Sequence, residues 1–111
     1  MKRRMLDPEE TPQSAETDLC RALLSLRDVA EMRAFLHDLC TPAELESLVD
    51  RWSVVPHVLK GTPYREIHAH TAVSITTIGR VARFLNHGNG GYLKAAARVT
   101  RRGATARERR A

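Results

Sequence analysis

The residues of this chain that could do chemistry gather in one stretch. From Tyr64 to Phe84 it reads YREIHAHTAVSITTIGRVARF. Ser74 sits where a helix N-cap belongs, its hydroxyl able to accept from the free amides of the next turn. The helix it opens displays Ile75, Thr76, Gly79 and Arg80, which are small, polar or cationic and suit a base edge or a phosphate. Thr77 and Arg83 on that helix, with Lys60 and Arg65 ahead of it, supply further phosphate contacts. This is equipment for recognition rather than turnover. The sequence has no glycine-rich phosphate loop and no Ser/His/Asp arrangement, and Glu44 and Glu46, two apart, point to different faces of a helix. The five histidines, His37, His57, His68, His70 and His87, show neither CxxC nor HExxH spacing, so no metal is expected. An enzyme is not expected either.

The elements that must position these residues follow from the apolar pattern. Ile67, Val73, Ile78, Val81 and Leu85, with a break at Thr71-Ala72-Val73, predict two short helices sharing a small core across a tight turn. That is a helix-turn-helix over about residues 64–85. Such motifs usually carry Ala where His68 stands and Gly where Ala72 stands, so the match rests on Ile67, Val73, Ile78 and the capping serine. The competing reading is a plain helical hairpin packed for stability.

The rest of the chain reads as all-α. Residues 1–16 mix charge with Pro8, Pro12 and Ser14 and are expected to form a disordered arm. Residues 17–99 form one helical domain. Leu19, Leu23, Leu24 and Leu26 mark a first helix, and Val29, Met32, Phe35, Leu36 and Leu39 a second, with Asp28 as its N-cap. Thr41-Pro42-Ala43-Glu44 opens a third that runs to Lys60-Gly61, with Pro56 inside it, so a bent helix and two shorter ones both stay open. After the helix-turn-helix, Asn86 to Gly91 is expected to break the helix, and Tyr92 to Val99 gives the sixth. The Arg-rich residues 100–111 are expected to be a basic disordered tail. Cys20 and Cys40 fall in apolar helical patterns and read as buried free thiols.

At 111 residues, with about 80 of them ordered, the chain is small enough that self-association is expected to complete its core. Nothing resembles a membrane span or a signal peptide, which points to a cytoplasmic protein. The net charge of +5 is unevenly placed: residues 1–61 hold 8 Lys or Arg and 11 Asp or Glu (−3), and residues 62–111 hold 10 and 2 (+8). The basic half contains the helix-turn-helix. A cationic face beside that motif suits an anionic partner of high charge density, namely duplex DNA. For the tail alone, charge kept for solubility is the alternative reading.

LCTPAELESLVDRW, then VLKGTPYREIHAHTAVSITTIGRV, then RFLNHGNGGYLKAA together resemble the Trp repressor superfamily, and within it the TrpR-like YerC/YecD branch, over about residues 18–98. NHGNGGY is the mark of that branch. The resemblance implies a six-helix fold, an intertwined homodimer and a transcriptional repressor binding a palindromic DNA operator. Leu23, Val29, Phe35, Leu36, Leu48 and Trp52 would then belong to an intermolecular core; an intramolecular core is the alternative. It also implies an amino-acid co-repressor held by the matching positions Thr41, Arg51 and Arg80. This chain departs from the tryptophan-binding pattern, with Val81 in place of a small residue and Phe84 in place of a serine. The added bulk argues against tryptophan and leaves a smaller effector or none; the resemblance, to a branch whose relatives are linked to histidine metabolism, implies histidine as the first candidate. Two further alternatives stand: effector-independent DNA binding, with Arg51 and Arg80 paired to Asp50 or Glu66 or to phosphate, and a protein-interaction module of antitoxin or sigma-factor-like type.

Overall fold

A computed structural model of the chain describes residues 11–110, with side chains through residue 102. Among the described residues there are six α-helices and no strand: α1 Pro12–Ser25, α2 Val29–Leu39, α3 Pro42–Leu59, α4 Tyr64–Thr71, α5 Ile75–His87 and α6 Gly91–Arg110. They divide into two compact units, the first ending at Pro42 and the second beginning at Ala43.

Capping sets the helix starts in the first unit. The Ser14 amide donates to the Thr11 hydroxyl oxygen at 3.0 Å and the Thr11 amide donates to the Ser14 hydroxyl oxygen at 2.9 Å. This reciprocal box, with Pro12 in the first turn where its missing N–H costs nothing, starts α1. The helix therefore begins at Pro12 and not at Thr17, and the expected disordered arm is helical from Pro12 to residue 16. Pro12 and Ser14, read from the sequence as breakers, are start signals here; residues 1–10 lie outside the described residues. Asp28 caps α2 as expected, accepting from the Glu31 amide at 2.8 Å. Neither helix buries a single residue. Leu24 is 84% exposed and Val29 71%. Both cysteines are free thiols, but Cys20 is exposed and Cys40 only half-buried, because neither α1, which contains Cys20, nor α2, which ends at Cys40, has a buried face to receive them.

The second unit holds the core. α3 remains one helix through Pro56, which settles the choice between a single helix and two. It ends in a Schellman motif: Thr62 N–H donates to the His57 carbonyl at 3.1 Å and Gly61 N–H to the Val58 carbonyl at 2.9 Å, with Gly61 at φ 78°. Val54 and Val55 of α3, Ile67 of α4, Val73 of the turn, and Ile78, Val81 and Leu85 of α5 form the buried cluster, and Val58, Tyr92 and Ala96 pack against it. α5 continues through Asn86 and His87, two residues further than the sequence suggests. Gly88 ends it, since a Cβ there would run into the Phe84 backbone carbonyl. α6 likewise extends past Val99 to Arg110, where a disordered tail was expected at 100–111. Ala and Arg are strong helix formers and no proline interrupts them, so the last turn of the domain propagates.

The turn between α4 and α5 carries the one non-glycine residue with positive φ among those described, Ala72 at φ 62°, ψ 7°. An L-residue with a Cβ pays roughly 1–2 kcal/mol to sit in this left-handed region, against an entropic cost of about 0.5–1 kcal/mol for glycine. Ala72→Gly is therefore expected to stabilise the fold by about 0.5–1 kcal/mol, raising Tm by a few degrees in thermal unfolding. An unchanged or lower Tm would contradict the strain at this position.

Candidate nucleic-acid interface

Side chains stitch the α4–α5 turn. The His68 ring donates from Nδ1 to the Val73 carbonyl at 2.7 Å, which assigns the proton to that nitrogen, since a carbonyl can only accept. Thr71 Oγ1 donates to the Ile67 carbonyl at 2.7 Å and accepts from the Val73 amide at 3.2 Å. The Ala72 amide returns to the His68 carbonyl at 2.8 Å. Ser74 then caps α5, accepting from the Thr77 amide at 3.2 Å and donating to Thr77 Oγ1 at 3.0 Å. His68, the substitution that weakened the motif match, is thus a fastener of the turn. No spacing rule would have revealed it.

α5 separates two functions around its circumference. At about 100° per residue, Ile78, Val81, Ala82 and Leu85 occupy one sector of roughly 100°, and all four are buried. Ile75, Thr76, Gly79, Arg80 and Arg83 occupy a sector of about 140° on the other side. Ile75, Thr76, Arg80 and Arg83 are exposed, and Gly79 is half-buried. Thr77, half-buried, lies between the sectors and is engaged by Ser74. Lys60 and Arg65 are exposed at the end of α3 and the start of α4. Among the described residues no charged or polar side chain is buried, so every cationic group named here can reach a partner.

Arg80 has a neighbour the sequence reading missed. Its guanidinium lies over the Phe84 ring, 5.7 Å from the centroid, one helical turn along α5. The i, i+4 spacing of Arg and Phe was the available signal. Among the described residues neither Arg80 nor Arg51 forms an ion pair, so pairing to Asp50 or Glu66 is not what holds them. Arg51 is half-buried on α3, and Val81 is 1% exposed within the core. Phe84, Asn89, Gly91 and Tyr92 line an open depression of about 400 Å³ beside the stack. Thr41 is exposed in the first unit, next to the start of α3. His57 and His70 stack across α3 and α4, with centroids 6.2 Å apart and planes 7° from parallel. The described residues contain no cluster of three or more His, Cys, Asp or Glu that could hold a metal ion, and no helix is long and apolar enough to cross a membrane.

The family model for the Trp repressor protein matches residues 15–100. YerC of Bacillus subtilis (strain 168), an uncharacterised protein, is 42% identical over 81 residues, which is 73% of this chain and 78% of that relative. A TrpR-like protein from Eubacterium eligens ATCC 27750 superposes with a TM-score of 0.74 at 38% identity, covering 78% of this chain and 90% of the other. A candidate Trp repressor from Staphylococcus aureus gives the same TM-score at 34% identity, covering 78% and 87%. With both the sequence match and the helical framework in agreement, the chain belongs to the Trp repressor family of DNA-binding regulators.

Proposed function

We propose that the chain is a transcriptional repressor that binds a near-palindromic operator as a homodimer, one α5 in each of two successive major grooves about 34 Å apart. The observation that carries this reading is the division of α5 into a buried sector and an opposite sector of five accessible residues. In this reading Ile75 meets a thymine methyl, Thr76 offers a hydroxyl to a base edge, and Gly79 lets the backbone approach. Ser74, Thr77, Lys60, Arg65 and Arg83 serve the phosphates, which set register and affinity but carry no sequence information. Few long donors face the bases, so bridging water and DNA shape supply much of the specificity. The homodimer is supported by α1 and α2, which carry exposed Leu19, Leu24, Val29 and Leu39 and bury nothing in the single chain.

The effector in this proposal is an amino acid whose carboxylate is met by Arg51 and Arg80, with histidine ahead of tryptophan. Phe84 beneath Arg80 favours a ligand smaller than an indole. The same stack favours a second reading, in which α5 is already ordered and binds DNA with no effector. A gel shift on the neighbouring promoters, repeated with each of the twenty amino acids, separates the two. Retardation enhanced by one amino acid supports the first, and retardation indifferent to all supports the second. No retardation of any duplex would leave a protein-interaction module as the surviving account.

Arg65→Ala and Arg83→Ala are expected to weaken binding to every duplex alike and to flatten the log–log salt dependence by about 0.9 per lost contact. Thr76→Ala is expected instead to change which operator is preferred, as read from competition between duplexes. Equal loss of all operators on changing Thr76 would remove it from the base-reading set. Gly79→Ala divides fold from function, because an added Cβ would meet only Tyr64 Cε2 at an ordinary 4.0 Å. It is expected to stabilise α5 by about 1 kcal/mol yet lower operator affinity by roughly tenfold. Affinity that rises along with stability would show that Gly79 does not face DNA.

A further inference from the structure

We infer that the distal part of α6 is a second nucleic-acid contact, a basic helical arm laid along duplex phosphates that flank the half-site read by α5. The inference rests on the DNA-binding reading above and extends its footprint. α6 runs for 20 residues. Its first turns are fixed, because half-buried Tyr92 and Ala96 pack on the same cluster that buries Ile78, Val81 and Leu85 of α5. The helix therefore starts from the reading head itself.

Its charge is ordered around the axis. At about 100° per residue, Tyr92, Ala96 and Val99 share one side, while Lys94, Arg98, Arg101 and Arg102 fall within a sector of about 100° on the opposite side. Lys94, Arg98, Arg101 and Arg102 are exposed. In all, α6 holds seven Lys or Arg against one Glu, net +6, where the entire chain is +5. A solvated face needs no single sign of charge, whereas so one-sided a cationic density suits duplex phosphates, since each neutralised phosphate releases condensed counterions. From Ala96 to Arg110 the helix advances about 21 Å at 1.5 Å per residue, roughly six steps of duplex at 3.4 Å each. The match to the family model ends at residue 100, so most of the arm lies beyond the matched segment.

The test compares the full chain with a variant carrying Gln in place of Arg101, Arg102, Arg107, Arg109 and Arg110, a change that preserves helix propensity. Each is titrated by fluorescence anisotropy on two duplexes, a selected operator trimmed to its half-sites and the same operator with ten further base pairs on each side. The expected result is a loss of about 10–100-fold on the long duplex and a salt slope flatter by about 0.9 per lost contact, with little change on the trimmed one. A variant with Lys at the same five positions should restore most of the loss. Wild-type affinity and slope of the Gln variant on the long duplex would overturn the arm alone, as would failure of the Lys variant to rescue. A full chain that binds neither duplex would overturn the DNA reading and the arm together.

Discussion

The burial of Ile67, Val73 and Ile78 around the left-handed turn at Ala72 is the constraint on which the rest of the structure depends. Two helices of 8 and 13 residues are too short to hold their own relative angle, and isolated helices of such length are marginal in water. Packing both against Val54 and Val55 of α3 fixes that angle, and the hydrogen bonds of His68, Thr71 and Ser74 fix the connection. Once the buried sector of α5 is committed, its opposite sector can only be presented outward. The outward sector of α5 is thus a consequence of where the core sits.

The two units manage their apolar surface differently. The unit that begins at Ala43 closes a core of its own, with Val54, Val55, Ile67 and Ile78 wholly buried. The unit that ends at Pro42 has well-capped helices and apolar side chains but, among its described residues, none that is buried. Capping and propensity define where those helices start, whereas packing must supply most of the stability. Leu48, Val49, Trp52 and Leu59 of α3 are also at least 38% exposed. The proposed homodimer would complete such a core between chains as well as within one.

Much of this was legible in the sequence. The periodicity of Ile67, Val73, Ile78, Val81 and Leu85 named the core correctly, and Ser74 and Asp28 were found as caps because a side-chain oxygen before an apolar repeat has few other uses. What escaped detection was contextual. Pro12 and Ser14 were read as breakers because the reciprocal cap with Thr11 was not sought, and residues 100–110 as a tail because charge was weighted above the helix propensity of Ala and Arg. The His68 contact with Val73 and the stack of Arg80 on Phe84 depend on a backbone path and a rotamer, which composition does not encode. The exposure of Cys20 could not be read from an apolar pattern alone, since the pattern states what needs covering and not what covers it.

The central claim is that two copies of α5, held at a fixed separation, read adjoining grooves of one duplex. Selecting bound molecules from a pool of randomised duplexes with the purified chain, then measuring the mass of the complex with the winning duplex, tests it most directly. The account predicts a winning sequence of two inverted half-sites centred about 10 base pairs apart, bound by two chains. A single unrepeated site bound by one chain, or a pool that remains random after repeated rounds, would contradict it.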